Sequence, residues 1–360
     1  MTSPYPGTYR GILSDRKITE ARENGDLYIA PFDRRQLQPT GYNLTPTRFF
    51  YSTTKKKFLP VIENSEEVYV IVDKNDTVLV RTRESVAVSS SLSGAFYSKV
   101  KVVSEGFGHV STTLDPNWEG QLLISLNNPT NKRLKFSIEK KVYGETIYNS
   151  FVTLEFTGLD SFPLDRSDNP PGRLDILSST IEKNISTFKR KQVDELRQLL
   201  KDLHECEDQT IESFIINHFT PEEEQAREEI YAIRDNQQFY ETWNTFLEQK
   251  KRKYLRQIQE DFNRNALKSI EIINTYIDKK QKYMPVRVKF LSFCIKNRYH
   301  LFGILISVIL GLCTFFSDEL IAKLSVLENL DILHIASLTC MGYIILPILK
   351  DLKDIFFDMK

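Results

Sequence analysis

Two stretches near the C-terminal end, residues 299–317 and 332–349, contain no Asp, Glu, Lys or Arg. As helices they would extend roughly 28 and 27 Å, close to the hydrocarbon thickness of a bilayer. Neither shows a polar face, which a buried helix of a soluble domain normally carries. Arg287, Lys289, Lys296 and Arg298 precede the first stretch, and Lys350, Lys353 and Lys360 follow the second. The connection holds Asp318, Glu319, Glu328 and Asp331 against Lys323. Basic flanks favour the cytoplasmic side. The pattern predicts a two-helix transmembrane hairpin over 299–350, a cytoplasmic tail over 351–360 and a lipid bilayer as partner. The localisation expected is therefore membrane, multi-pass, with N- and C-termini cytoplasmic. A buried hairpin of a soluble helical domain is the alternative.

Charge excludes one class of partner. Lys plus Arg and Asp plus Glu are both 48, whereas a dedicated nucleic-acid binder carries a basic excess. Cys206, Cys294, Cys313 and Cys340 show no metal-ligand spacing, so neither metal nor disulfide framework is expected. No cofactor is expected either. Met1–Gly11 lacks the basic start and apolar core of a signal peptide.

Pro170-Pro171-Gly172 punctuates the chain. Beyond it, 172–298 reads as helical. Ile176, Ile181, Ile185, Phe188, Leu196, Leu199 and Leu203 recur at helical spacing. Thr220 caps a second helix, with Pro221 in its first turn and Glu222, Glu223 and Glu224 at its positive end. A third pattern runs from Phe239 to Tyr283. This middle fits either a coiled-coil-like stalk or a local helical bundle. The charge runs Lys250–Lys253 and Glu222–Glu224 read as solvated helix faces.

Residues 1–165 form the third part. Short runs rich in β-branched and aromatic residues alternate with turn clusters. They are Val68–Val72, Thr77–Val80, Val86–Val88, Lys99–Val103, Gln121–Leu126, Leu134–Ile138 and Phe151–Phe156. This spacing suggests a mainly-β barrel or jelly roll. The fold class expected is thus multidomain: a β head, a helical middle and a membrane hairpin.

Three N-terminal segments, Gly11–Ile18, Gly25–Phe32 and Gln36–Leu44, resemble the start of a dCTP deaminase. Ser98–Lys101, Gly108–Gly120 and Leu122–Asn128 resemble its nucleotide-pocket strands, with Leu114-Asp115-Pro116-x-Trp118-x-Gly120 the most specific piece. The family shares its fold with the trimeric dUTPases, and the resemblance covers about residues 10–160. It implies a homotrimer with deoxynucleotide pockets at subunit interfaces. In that comparison His109, Ser111, Thr112 and Asp115 line the base and sugar, with Asp115 on the sugar, while Ser98 and Lys99 fall at a serine-rich phosphate turn. Turn chemistry alone also explains Asp115-Pro116 and Gly120, and a satisfied structural histidine is the more usual reading of His109.

The resemblance breaks where the family does its chemistry. Family members activate water with a Glu in the strand after the Trp-x-Gly turn, and this chain has Ser125 there. A hydroxyl does not replace a carboxylate as general base near neutral pH. Ser98–Ser104 contains no Arg, Asn43 replaces the Asp of the family's Tyr-Asp-Leu motif, and the helical region replaces the phosphate-covering tail. Glu119 could serve as base only if the strand reorganised. No phosphate loop or nucleophile elbow is present. The expectation is a nucleotide-binding module rather than a catalyst, a sensor–effector acting through its membrane helices, a layout that suits a bacterial defence effector. Two alternatives stay open. One is an active, membrane-tethered deaminase or diphosphatase built on Asp115. The other is a non-binding structural trimer.

Overall fold

The computed structural model describes residues 9–108, 112–161, 163, 171–188 and 190–282. The chain divides into two compact units, Met1–Gln281 and Lys282–Lys360. All that follows concerns the first.

The N-terminal half is built from three antiparallel sheets. The first contains β1 (Gly11–Ile12), β3 (Leu37–Gln38), β4 (Gly41–Leu44), β10 (Leu92–Ser98), β11 (Thr113–Leu114) and β15 (Val152–Gly158). Its order is β11-β10-β15-β4-β3, with β1 also on β15. The second contains β2 (Leu27–Ala30), β5 (Pro46–Ser52), β6 (Lys57–Phe58), β9 (Asp76–Val88) and β12 (Glu119–Asn128), ordered β12-β9-β5-β6 with β2 on β9. The third runs β14-β13-β8-β7, from β7 (Val61–Glu63), β8 (Glu67–Val72), β13 (Leu134–Val142) and β14 (Glu145–Tyr148). On β12 the period of two is plain: Leu122, Ile124 and Leu126 are buried, and Leu123 and Ser125 are half-buried on the other face.

Two strand expectations change. Thr77–Val80 and Val86–Val88 are the ends of one strand, β9. Its middle, Arg81 to Glu84, breaks the apolar pattern because Arg81, Thr82 and Glu84 take hydrogen-bond partners inside the fold. Thr82 Oγ1 donates to Glu84 O (2.7 Å) and accepts from Leu122 N (3.0 Å), where β12 bulges between Gln121 and Leu123. Lys99–Val103, expected as a strand, instead enters the short helix α2 (Val100–Ser104). Val100 and Val103 stay exposed, so the β-branched run never met a sheet to pair with.

The remaining helices are α1 (Asp15–Asn24), α3 (Leu174–Glu182), α4 (Arg190–Glu207), α5 (Ile211–Ile216), α6 (Pro221–Tyr231), α7 (Asn236–Lys253) and α8 (Leu255–Lys282). Gly25 ends α1 at φ 80°, in the left-handed region, and returns its N–H to Ala21 O and Arg22 O. Thr220 caps α6 as expected: Glu223 N donates to Thr220 Oγ1, and Thr220 N donates to Glu223 Oε2. The third helical pattern is interrupted at Tyr254, whose φ of −110° and ψ of 16° separate α7 from α8.

The coiled-coil-like stalk is corrected. The helices fold back onto the β half and share its core. Leu174, Leu177 and Ile181 of α3, Leu196, Leu199 and Leu203 of α4, and Ile273 and Ile277 of α8 belong to the same buried cluster as Phe49, Phe50 and Phe156. A second cluster joins Tyr28, Ala30 and Ala87 of the sheet to Ile211, Ile215, Ile258 and Phe262. The helical spacing read from the sequence is a face packed on a sheet. Arg48 adds a polar tie, donating from Nη2 to Glu139 (2.8 Å) and from Nη1 to Asp278 (3.3 Å).

The transmembrane hairpin and the multi-pass location are corrected too. Among the described residues no helix is long and apolar enough to cross a membrane. The segments that raised the expectation, 299–317 and 332–349, lie outside the described residues, as do the flanks and the 351–360 tail.

Candidate functional site

The turn before β12 is pinned from three sides. Trp118 N donates to Asp115 O (3.2 Å), Val88 N donates to Trp118 O (3.0 Å), and Asn117 N donates to Ser89 O (3.5 Å). Gly120 then takes φ +121°, where a side chain would be strained. A Cβ there would also collide with Glu207 and with the backbone of Gly172. The glycine of the Trp-x-Gly motif thus admits the end of α4 and the Pro171–Arg173 turn.

The predicted site residues fall on two sheets. Ser98 ends β10, and Lys99 precedes α2 with its amine shifted down by burial and then by Lys101. Thr112 is exposed, and its carbonyl accepts from Phe96 N (3.1 Å). Asp115 follows β11, half-buried, and helps hold Arg173 above its usual range after Asp175, the larger cause. Ser98, Lys99, Thr112 and Asp115 are therefore spread along β10 and β11: Thr112 lies beside Phe96, and Asp115 follows Leu114, which pairs with Gly94, four residues from Ser98. Ser125 lies on β12 of the second sheet, across from Leu79. His109 and Ser111 lie outside the described residues.

A second serine-rich turn went unread in the sequence. Ser89, Ser90 and Ser91 are all buried where β9 passes into β10. The Ser89 and Ser91 hydroxyls are 2.8 Å apart. The run of three serines beside the Asp115–Trp118 turn was the available signal.

The most unusual electrostatics lie under the helices. Arg81 is 0% exposed. Its Nε and Nη2 donate to Gln121 Oε1 (3.1 and 2.9 Å), and Nη2 also donates to Glu207 Oε1 (2.5 Å). Among the described residues, Arg81 Nη1 and Gln121 Nε2 have no hydrogen-bond partner. Burial pulls the guanidinium down and pushes Glu207 up, and each charge offsets the other's desolvation. Glu84 accepts from Thr45 N (2.8 Å) and Thr45 Oγ1 (2.6 Å), yet burial pushes it up to about 7. Glu119 accepts from Ile211 N on both oxygens (2.9 and 3.0 Å), and burial pushes it up to about 8.

Two cavities neighbour these acids. One of about 400 Å³ lies beside Glu84, with Arg83 stacked 3.4 Å over the Tyr148 ring. The other, about 330 Å³, lies between Glu119, α5 and α8. Neither is lined by Ser98, Lys99, Asp115 or Ser125. Among the described residues no group of three or more His, Cys, Asp or Glu side chains could hold a metal ion.

A family model described as dCTP deaminase-like matches residues 12–141. The N-terminal domain is dCTP deaminase-like. The dCTP deaminase of Pyrococcus horikoshii is 27% identical over 152 residues, covering 42% of this chain and 85% of that protein. The dUMP-forming dCTP deaminase of Corynebacterium kroppenstedtii is 28% identical over 145 residues, covering 36% and 78%. Among solved structures, the 2'-deoxycytidine 5'-triphosphate deaminase of Agrobacterium tumefaciens matches at 14% identity with a TM-score of 0.32. That match covers 41% of this chain and 49%, about half, of the other. The EIAV dUTPase matches at 13% identity and a TM-score of 0.24, covering 39% and 96%.

In the dCTP deaminase-like domain the motif residues serve the fold visibly. The Asp115–Gly120 turn holds β9 and β12 together and admits α4. Asn43 is buried, and its side-chain oxygen accepts from Thr153 Oγ1 (2.9 Å). Glu119 is committed to the first N–H of α5. The family match ends at residue 141, before β14, β15 and the helical layer.

Proposed function

We propose that the dCTP deaminase-like domain binds a deoxynucleotide and does not turn it over. The observation that carries this is Ser125. It occupies the place on β12 where the resemblance puts the general base, and a hydroxyl does not take up a proton near neutral pH. The carboxyls with raised proton affinity are already hydrogen-bonded, Glu84 to Thr45, Glu119 to Ile211 and Glu207 to Arg81. Ser98, Lys99, His109, Ser111, Thr112 and Asp115 are the residues proposed to contact the ligand. The resemblance supports a homotrimer with pockets between subunits.

A sensor role needs a route from pocket to effector, and β12 offers one. The strand runs from Ser125 back through Gln121 to Glu119, which meet α4 and α5. Ligand that shifts β12 would load the helical layer directly.

The test uses the purified full chain with a panel of deoxynucleoside triphosphates, following binding at equilibrium and products by chromatography. The wild type is expected to bind saturably without forming product. Asp115→Ala should weaken binding by about tenfold, one lost charged contact. Ser125→Glu is expected to restore ammonia release. Turnover by the wild type would instead make this a deaminase or diphosphatase. Absence of binding in both proteins would favour a structural assembly.

A further inference from the structure

The cavity between β12, α5 and α8 is independent of the nucleotide question. At about 330 Å³ it falls within the range of small-molecule sites. Its apolar wall comes from Phe214, Ile258 and Phe262, with Ile258 and Phe262 buried. Its polar side is Glu119, Asn217 and Asn265. A narrow recess of about 20 Å³ shares Glu119, Phe262 and Asn265 and runs inward to Glu207 and Ser269. That recess has room for about one water.

Charge decides what the cavity prefers. Glu207 is matched by Arg81, and Asp261 by Arg264 at 2.5 Å. Glu119 meets Ile211 N–H, a partial positive charge, and its remaining lone pairs border the cavity. His218 is spent: its ring stacks on Phe214 at 4.1 Å, and Nδ1 lies 2.7 Å from Phe214 O. Among the described residues that line the cavity, the basic side chain Arg264 is already paired with Asp261, so an anion would meet Glu119 with little in return. A purely apolar ligand would strand the carboxyl and the two amides. A planar cation satisfies both sides, because its N–H edge donates to a carboxylate in a bidentate fork while its face lies on an aromatic ring.

We infer that this cavity binds a small organic cation bearing a planar amidinium or guanidinium group, with Glu119 as the acid that holds it and Phe214 and Phe262 as its stacking wall. Glu119 is pushed up to about 8 by burial, then opposed by Ile211 N–H and Lys251, while Glu207 and Glu212 push the same way as burial. His218 and the Asp261–Arg264 pair border the same cavity. Near neutral pH the empty site therefore holds a largely protonated carboxyl. Binding a cation ionises it and releases a proton, so affinity rises as pH passes through about 8.

The probe is benzamidine, titrated calorimetrically into the full chain in buffers of different ionisation heat. Saturable binding with proton release is expected. Affinity should gain more than about tenfold between about pH 6.5 and about pH 8.5. Neutral benzamide should bind at least about tenfold more weakly. Glu119→Gln keeps an oxygen for Ile211 N and should keep the melting temperature. It should also lose the pH dependence and at least about tenfold in affinity. Asn265→Phe fills the cavity from α8 and should lose binding without touching Glu119. No saturable binding to the wild type, equal binding of benzamide, or unchanged pH-dependent binding by Glu119→Gln would each overturn the assignment.

Discussion

Glu84 shows how one buried acid writes itself into the pH dependence of the whole fold. Its carboxyl is 2% exposed and raised from 4.5 to about 7. The folded state binds the proton more tightly than the unfolded chain does. Its contribution to stability is therefore full below about pH 4.5 and is lost as pH rises to about 7. Glu84→Gln keeps an acceptor for Thr45 N and turns its amide N–H toward Thr45 Oγ1, which then accepts instead of donating, and it does not titrate. The stability gap between variant and wild type, read by urea unfolding, should shift in the variant's favour by on the order of 3 kcal/mol across that window. Glu119 and Glu207 shift in the same direction but are present in both proteins, so the difference isolates Glu84. A gap that does not change with pH would mean that Glu84 is not buried as described.

Between elements, the Arg81–Gln121–Glu207 cluster fastens α4 to β9 and β12. Gly120 and Gly172 give Glu207 room to reach in, because a Cβ on either would collide with it. Glu207→Leu would strand the buried guanidinium and should cost about 3–5 kcal/mol. Arg81→Met combined with Glu207→Leu should recover much of that, since an apolar pair of similar volume leaves no charge unmatched. Chemical denaturation of the two single variants and the double variant gives the coupling directly. Additive losses would show that the two side chains do not act as a pair. The same cluster explains why β9 read as two strands: Arg81 and Glu84 look like loop residues until their partners arrive from α4 and from Thr45.

At the scale of the molecule, the shared core predicts that the described sheets and helices melt as one cooperative body. The chain has two tryptophans, one in each half. Trp118 packs against the main core, and Trp243 is buried in the helical cluster. Trp118→Phe and Trp243→Phe leave single reporters. Their urea transitions in the full chain should coincide in midpoint and slope. A helical layer that melted first under Trp243 would divide this body into two. Coincidence also bears on the sensor proposal, because one cooperative body passes strain from β12 to α5 without a hinge.

Local chemistry was enough for several features. The alternation of Leu122, Ile124 and Leu126, the Thr220–Glu223 capping box and the Leu-Asp-Pro-x-Trp-x-Gly turn each depend on neighbours a few residues away, and all were legible in the sequence. So was the deaminase-like character of the N-terminal domain. What escaped depends on partners far along the chain. A helical stripe of apolar residues fits a stalk as well as a layer, and only contact with the sheet tells them apart. Arg81 and Glu84, both buried, and the half-buried Glu119 owe their surroundings and altered proton affinities to residues on α4, on β4's exit and on α5. The polar cavity between β12, α5 and α8 belongs to no single segment. Hydrophobic periodicity is a property of the local chain, whereas the partner that buries a face or matches a charge is decided by tertiary packing.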